Sequence, residues 1–258
     1  MRVTLVGHAT VLVELDGVRL LTDPLLRARR VFLRADRHPP EPGWLRPLDA
    51  VLLSHFHRDH YDPRSLGLVD PEAVLVGPPG TARRAARTGG RRAVELRPGE
   101  STTLGDVAVR ATEAAHGRIP EPFRPVSLGF LVLASTRLYF AGDTDLFPGL
   151  AELAAEELDV ALLPVGGWGP RLGAGHLDPL RAAQALRLIR PRVAVPIHWG
   201  FLRPLGTGRL RPSYLTDPGT QFARFAAKLA PDVDVRILAP GESLEVTAGS
   251  AEARARRD

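Results

Sequence analysis

The order of short apolar runs and helical segments is the feature that most constrains this fold. Before Gly142 the pattern predicts strands over 3–6, 10–15, 18–22, 50–54, 73–76, 93–96, 107–111, 128–133 and 137–141. After Gly142 it predicts strands over 160–164, 193–197 and 233–238, alternating with helices over 149–158, 180–189 and 221–229. A strand-rich half followed by β/α alternation predicts an α/β protein built as a layered sandwich rather than a doubly wound sheet.

The turns and connections between these elements favour a single domain over residues 1–249. Asp16-Gly17 separates two predicted strands and is a strong signal for a two-residue hairpin. Residues 25–48 form a long Arg/Pro-rich connection, and a loop of that length is usually functional or disordered. Residues 250–258 are small and charged, so we expect a disordered tail there.

The apolar content of the chain indicates a globular protein rather than a membrane-spanning one. It is 44% hydrophobic and 24% charged, which is typical of a globular protein with a sizeable core. The longest apolar runs, such as 128–134, fall far short of the roughly 20 residues that cross a bilayer. Because the first residues also lack an apolar stretch long enough for a secretory signal, we expect a cytoplasmic protein without a membrane span.

The excess of basic over acidic residues does not indicate a nucleic-acid partner. The pI is near 10.5, but the net charge of +5 is mild for 258 residues. Lys228 is the only lysine among 34 basic residues, a bias typical of a GC-rich genome. The one dense basic patch comprises the arginines at 27, 29, 30, 34 and 37. A charge run is usually a solvated face, although contact with a phosphate or lipid is an alternative.

A histidine cluster follows the predicted strand over 50–54. His55, His57, Asp59 and His60 place four potential metal ligands within six residues. The chain has no cysteine, so any metal ion would have to be held by imidazole and carboxylate groups, which zinc and its relatives accept. The alternative, a solvated polar loop with coincidental histidines, is unattractive because the chain has only eight histidines.

The His-x-His-x-Asp-His pattern resembles the signature of the metallo-β-lactamase-fold hydrolases. Later positions that match this family are His116, Asp143 and His198, and the resemblance spans roughly residues 3–245. It implies a four-layer αββα sandwich with a two-metal site at one edge. It also implies the following ligands: His55, His57 and His116 for one ion, Asp59, His60 and His198 for the other, and Asp143 as a bridge between them.

Four shorter segments resemble the branch that contains the ascorbate-lactone hydrolase and the N-acylphosphatidylethanolamine phospholipase D-like proteins. They are Gly-His-Ala-Thr at 7–10, Leu-Thr-Asp-Pro at 21–24, Gly-His-Leu-Asp-Pro at 175–179 and His-Trp-Gly at 198–200. The chain lacks an inserted cap region like that of the nucleic-acid-processing branch. It also lacks the cysteine of the true β-lactamases. Both departures count against those two functions.

Four further residues have a functional and a structural interpretation. His8 either lies near the metals or is a hydrogen-bonded histidine at a strand end. His176 matches the branch motif and could orient substrate or stabilise a leaving group, but it also stands where a helix is capped. Asp23 either orients metal ligands or belongs to a turn before proline. Trp168 either lines the substrate pocket or packs within its loop.

Together these features predict a metal-dependent hydrolase that uses water activated by two divalent ions. The leading substrate is a phosphodiester, either phospholipid-like or nucleotide-like, and the alternative is a lactone or another acyl ester. Asp59 is expected to be a ligand that also orients the attacking group. Zinc is the expected metal, with manganese and iron also compatible.

Two non-hydrolytic functions remain open for the same fold: a di-iron redox protein, and a protein that binds the metals without activity. The complete set of ligand residues argues against the second. We expect a small-molecule or lipid ester as the substrate. Relatives form homo-oligomers, but no feature of this sequence predicts an interface.

Overall fold

Two seven-stranded β-sheets face each other in the computed structural model of the chain. Helices cover the outer face of each sheet, so the predicted four-layer αββα arrangement is confirmed. The structure describes residues 1–27, 29–30, 33–35, 40–117, 126–169, 171–205 and 212–249. The predicted tail at 250–258 and part of the arginine-rich connection lie outside these ranges.

The strands have the following bounds in chain order: β1 (Arg2–Gly7), β2 (Thr10–Leu15), β3 (Val18–Thr22), β4 (Arg29–Arg30), β5 (Leu33–Ala35), β6 (Ala50–Leu52), β7 (Val74–Gly77), β8 (Ala93–Glu95), β9 (Ser101–Leu104), β10 (Val107–Glu113), β11 (Leu128–Leu133), β12 (Arg137–Phe140), β13 (Val160–Pro164), β14 (Val193–Ile197), β15 (Leu202–Pro204), β16 (Asp234–Val235) and β17 (Ser243–Glu245). The α-helices are α1 (Pro63–Leu66), α2 (Thr81–Arg87), α3 (Pro179–Ile189), α4 (Ser213–Thr216) and α5 (Pro218–Leu229). Two 3₁₀ helices cover Pro42–Trp44 and Pro148–Glu156.

The two large sheets are mixed. The first has the order β17-β1-β2-β3-β6-β7-β8, and the second has the order β16-β14-β13-β12-β11-β10-β9. In the first sheet β3, β6, β7 and β8 are parallel, and in the second β12, β13, β14 and β16 are parallel. Parallel strands need crossover connections, and α1, α2, α3 and α5 lie within them.

Alternation along the strands divides the apolar residues of the two large sheets between three clusters. One lies between the sheets, and one lies beneath the helices of each sheet. In β6 the side chain of Leu52 packs between the sheets, whereas Val51 packs beneath α1 and α2. In β13 Leu162 likewise faces the other sheet, and Leu163 faces α3 and α5. Successive side chains of a strand point to opposite faces, so strands buried on both faces are apolar throughout, as these are. No helix among the described residues is long and apolar enough to cross a membrane.

Several elements differ from the sequence prediction. The segment predicted as helical over 149–158 is a 3₁₀ helix, Pro148–Glu156, and it ends where Glu157 takes a left-handed φ of 47°. The strand predicted over 233–238 pairs only at Asp234–Val235. The 25–48 connection contains β4 and β5, and β5 pairs with β15 in a small third sheet. The predicted hairpin at Asp16-Gly17 is confirmed, with positive φ at both residues, as a type I′ turn requires.

Candidate metal centre

Strand direction brings the candidate residues to one edge of the sandwich. β1 and β3 are both antiparallel to β2, so they share a direction, and β6 is parallel to β3. In the second sheet β10 and β12 are both antiparallel to β11, and β14 runs parallel to β12 through β13. The strands β1, β3, β6, β10, β12 and β14 are each followed at the carboxyl end by a candidate residue. In chain order these residues are His8, Asp23, His55, His116, Asp143 and His198.

Two glycines allow the loops of the two sheets to approach closely. Gly142 has a φ of 59°, and a Cβ there would lie 2.6 Å from the Cβ of Ser54. Gly175 has a φ of 83°, and a Cβ there would lie 2.5 Å from the backbone nitrogen of Gly117. Both positions exclude any residue with a side chain, so the loop that carries Asp143 packs directly against the end of β6.

One group of imidazoles consists of His55, His57 and His116. A ligand atom of each lies within 4.8 Å of the others. The closest pair is Nδ1 of His57 and Nε2 of His116, which are 3.0 Å apart. Two donors bonded to one ion at about 2.1 Å are separated by about 3.0 to 3.4 Å, so this pair has the spacing of metal ligands. His55 and His116 are buried and His57 is exposed.

A second group contains Asp59, His60, His198 and also His8, again with ligand atoms within 4.8 Å. Nε2 of His60 and Nε2 of His198 are 3.0 Å apart. The Oδ2 atom of Asp59 lies 3.6 Å from Nε2 of His198 and 3.6 Å from Nε2 of His8. His198 has a left-handed φ of 65°, a conformation that is costly for a residue other than glycine and that turns its ring into the cluster.

Asp143 lies between the two groups. Its Oδ2 atom is 3.1 Å from Nε2 of His60 and 3.9 Å from Nε2 of His55, and its Oδ1 atom is 3.4 Å from Nε2 of His198. The carboxylate therefore reaches residues of both groups. This is the placement that the resemblance implied for a bridging ligand.

Hydrogen bonds on the outer side of each ring fix which imidazole nitrogen faces the cluster. Nδ1 of His116 donates to the carbonyl oxygen of Gly175 at 2.8 Å, and Nδ1 of His198 donates to that of Gly166 at 2.9 Å. Because a carbonyl oxygen can only accept, the Nε2 atom of each neutral ring carries a lone pair. That lone pair is directed toward the other ligand atoms.

Asp23 performs the same function for His55 and His60. Its Oδ2 atom accepts from Nδ1 of His60 at 2.7 Å and from the hydroxyl of Ser54 at 2.5 Å, and its Oδ1 atom accepts from the N–H of Ser54 at 2.7 Å. The Ser54 hydroxyl oxygen in turn accepts from Nδ1 of His55 at 2.9 Å. One buried carboxylate therefore sets the tautomer of a histidine in each group.

The charges in the cluster shift its pKa values in opposite directions. Burial opposes ionisation of Asp143, but the nearby His198 and His60 hold the pKa of its carboxyl well below the usual range. Burial also opposes a charge on His60, yet Asp143 and Asp23 raise its pKa well above that of a free imidazole. Burial dominates at His55, lowering its pKa, and at Asp23, raising its pKa.

The donor set fits divalent metal ions. Nε2 of His55 and Oδ1 of Asp143 are buried without a hydrogen-bond partner in the part of the chain that the structure describes. The Nε2 atoms of His60 and His198 lie 3.0 Å apart while both Nδ1 atoms donate outward, so a cation, either a proton or a metal ion, must lie between them. Neutral imidazole and carboxylate are the ligands that zinc and related ions bind.

Of the remaining sequence candidates, His176 lies at the rim of the cluster. Nε2 of His176 is 3.3 Å from Oδ2 of Asp143, and its Nδ1 donates to the carbonyl oxygen of Gly173 at 3.0 Å. His176 is half-buried, so it lies between the cluster and solvent. Trp168 packs against the apolar cluster that contains Leu25 and Phe201.

His8 lies deeper than the sequence indicated. It is 2% exposed, and its ring centroid is 3.9 Å from that of His198. Burial, followed by the charge of His198, lowers its pKa to about 3, so the ring is neutral near pH 7. Its ring lies among the candidate ligand atoms of Asp59, His60 and His198, and neither ring nitrogen has a hydrogen-bond partner among the described residues.

Sequence reasoning missed the groups that fix the ring orientations. Ser54 directly precedes His55, and the sequence could have indicated it as a hydrogen-bonding neighbour. The carbonyl groups of Gly166 and Gly175 carry no residue-type signal, because any residue supplies a carbonyl oxygen. Glycine is necessary at position 175 because its φ is positive and because a Cβ there would clash with the backbone of Gly117.

Comparisons with known proteins identify relatives of this chain. A family model described as a beta-lactamase superfamily domain matches residues 18–199. A UPF0173 metal-dependent hydrolase of Opitutus terrae is 34% identical over 255 residues, which cover 95% of this chain and 100% of that protein. N-acyl-phosphatidylethanolamine-hydrolyzing phospholipase D 1 of Caenorhabditis elegans is 29% identical over 231 residues, 79% of this chain and 65% of that protein.

A solved structure shares the fold. The metallo hydrolase Igni18 from the archaeon Ignicoccus hospitalis superposes with a TM-score of 0.69 over 94% of this chain and 97% of that chain. Its sequence is 23% identical, so the likeness concerns the fold alone.

Proposed function

Because the chain belongs to the beta-lactamase superfamily and is a metal-dependent hydrolase of the metallo-β-lactamase fold, we propose that it hydrolyses phosphodiesters at a site for two divalent ions. The observation that carries the proposal is the pair of donor groups that share Asp143. The imidazoles of His55, His60, His116 and His198 have their outer nitrogens occupied by hydrogen bonds, so their Nε2 lone pairs are available to ions.

The proposed ligands divide as the donor groups do. The first ion would be held by His55, His57 and His116, and Asp143 would reach both ions. The second ion would be held by Asp59, His60 and His198. Zinc is the proposed metal, because imidazole-rich sites favour it, and manganese and iron are compatible with the same ligands.

Two divalent ions, when bound, lower the pKa of water and offset the negative charge that develops during hydrolysis. The chain itself supplies positioning. Asp59 is half-buried, so its carboxylate can accept a hydrogen bond from the attacking water and orient it. Nδ1 of His176 donates to the carbonyl oxygen of Gly173, and although burial opposes it, Asp143 raises the pKa of this ring, so a protonated Nε2 at the rim can donate to the leaving-group oxygen of the substrate.

Charge favours a phosphodiester over a neutral ester. The ligand set contains two carboxylates, Asp59 and Asp143, and neutral imidazoles, so two divalent ions leave the site with a net positive charge. An anionic phosphodiester is attracted to such a site more strongly than an uncharged lactone. The phospholipase D relative from Caenorhabditis elegans supports the same substrate class.

The experiment is hydrolysis of bis(p-nitrophenyl) phosphate by zinc-reconstituted protein, compared with p-nitrophenyl acetate and a lactone. Asp59→Asn should abolish phosphodiester turnover. Asp106→Asn, in the exposed β9–β10 turn, is the matched control and should retain it. Turnover of the acyl substrates alone would contradict the phosphodiester assignment and favour a lactonase or esterase. Equal turnover by wild type and Asp59→Asn would contradict the assigned site.

A further inference from the structure

We propose that His8 supplies a further imidazole ligand to the second ion, beside Asp59, His60 and His198. The proposal rests on the two-ion site proposed above and adds a residue to it.

The ring nitrogens of His8 are buried without a hydrogen bond to any described residue, and the side chain is 2% exposed. A buried polar group without a partner is costly, and native structures almost always satisfy such groups. An ion in the second group would satisfy one of these nitrogens.

Distances within the second group place His8 among the ligand atoms. Nε2 of His8 and Nε2 of His198 each lie 3.6 Å from Oδ2 of Asp59. His8 therefore has the same relation to the carboxylate as a histidine that the family resemblance assigns to the second ion. A separation of 3.6 Å is too long for a hydrogen bond and close to that of two ligands of one ion, about 3.4 Å at tetrahedral geometry.

The backbone around His8 directs its ring into the cluster. His8 has a left-handed φ of 57° in the tight turn between β1 and β2, a conformation that is uncommon for a residue with a side chain. Its carbonyl oxygen accepts the N–H of His198 at 2.9 Å, so the two histidine-bearing turns are joined. The ring of Phe201 is roughly parallel to that of His8, with 6.4 Å between the ring centroids.

The consequence is an asymmetric pair of sites. The second ion would have two carboxylates and three imidazoles available, whereas the first would have three imidazoles and Asp143. The first ion would therefore have more positions open for substrate.

The test uses the full chain loaded with two equivalents of ¹¹³Cd and read by cadmium NMR, together with zinc titration against a competing chelator. His8→Asn removes the imidazole while keeping a residue that tolerates a left-handed φ, and His8→Gly removes the side chain altogether. Phe201→Leu is the control for packing around the ring. We expect both His8 variants to shift one of two cadmium signals and to weaken zinc binding at one site by about 10- to 100-fold. Phe201→Leu should leave both signals in place.

Three outcomes would overturn the inference. Unchanged cadmium signals and zinc affinity in both folded His8 variants would show that the ring is not a ligand. Weaker zinc binding with both signals unmoved would show that His8 acts by positioning Asp59. A wild-type protein that binds fewer than two ions would overturn the two-ion site itself. This outcome is distinguished from the other two because it is measured on the wild-type protein alone.

Discussion

Substitution of the buried Asp23 by asparagine perturbs the site with the smallest change in shape. In Asp23→Asn the amide oxygen can still accept the N–H of Ser54, but an NH₂ group replaces the oxygen that accepts from His60 and from the Ser54 hydroxyl. Nδ1 of His60 must then accept rather than donate, which moves the ring proton to Nε2. That atom is the one 3.0 Å from Nε2 of His198, so the lone pair that would bind the metal is lost.

The magnitude follows from the three hydrogen bonds that Asp23 accepts. Their disruption affects His60 directly and His55 through Ser54, so ligands in both groups are disturbed. Removal of a partner that orients a metal-bound histidine typically weakens metal binding about 10- to 100-fold. This corresponds to about 1.4 to 2.7 kcal/mol of binding free energy at each affected ion.

The assay is zinc titration of the metal-depleted protein against a competing chelator. Asp159→Asn is a matched control, because Asp159 is also fully buried and accepts from Arg137, Arg192 and Gly249 at the start of β13, away from the site. We expect the control to lose stability and to retain zinc affinity. Zinc affinity in Asp23→Asn equal to that of wild type would refute the tautomer argument.

Three further predictions concern single side chains. His57→Ala should remove bound metal and activity together, measured by metal analysis and turnover, and full metal loading in that variant would contradict the ligand assignment. His176→Ala should keep both metals and slow kcat by about 100-fold, since it lacks the contact to the leaving group; unchanged kinetics would return it to a structural role. Asp16→Asn should lower the free energy of unfolding by about 0.5 kcal/mol at pH 7, a value reduced for exposure, because the Ser135 backbone N–H and hydroxyl hold the pKa of Asp16 below its usual 3.8. That contribution is present above the unfolded pKa and disappears as the pH falls through the folded pKa. Urea unfolding should therefore show a difference in the free energy of unfolding between the two proteins at pH 7 and none below pH 3. A difference that stays the same at both pH values would contradict the prediction.

Strand order was predictable from this sequence because burial leaves a strong local pattern. The strand predicted over 160–164 has the bounds of β13, since a short apolar run beside helical segments has few other solutions. The segment at 149–158 was predicted as helical, with no helix type assigned. Spacing alone does not separate three from four residues per turn, and the structure has a 3₁₀ helix there.

The candidate ligand residues could be identified from the sequence, whereas the orientation of their rings could not. His55 and His57 stand together in the sequence, and their chemistry is evident from the pattern. His116 and the carbonyl group of Gly175 are far apart in sequence, and only the tertiary structure brings them to 2.8 Å. The interpretation of His8 depended on burial in the same way, since nothing local distinguishes a ligand from a histidine at a strand end.

The central claim, a two-ion centre shared through Asp143, is tested most directly by anomalous diffraction from crystals of the zinc-loaded protein. We predict two anomalous peaks, one within about 2.2 Å of nitrogens of His55, His57 and His116, and the other at the same distance from His60 and His198. Both should contact the carboxylate of Asp143. A single peak, or peaks away from these side chains, would contradict the two-ion centre.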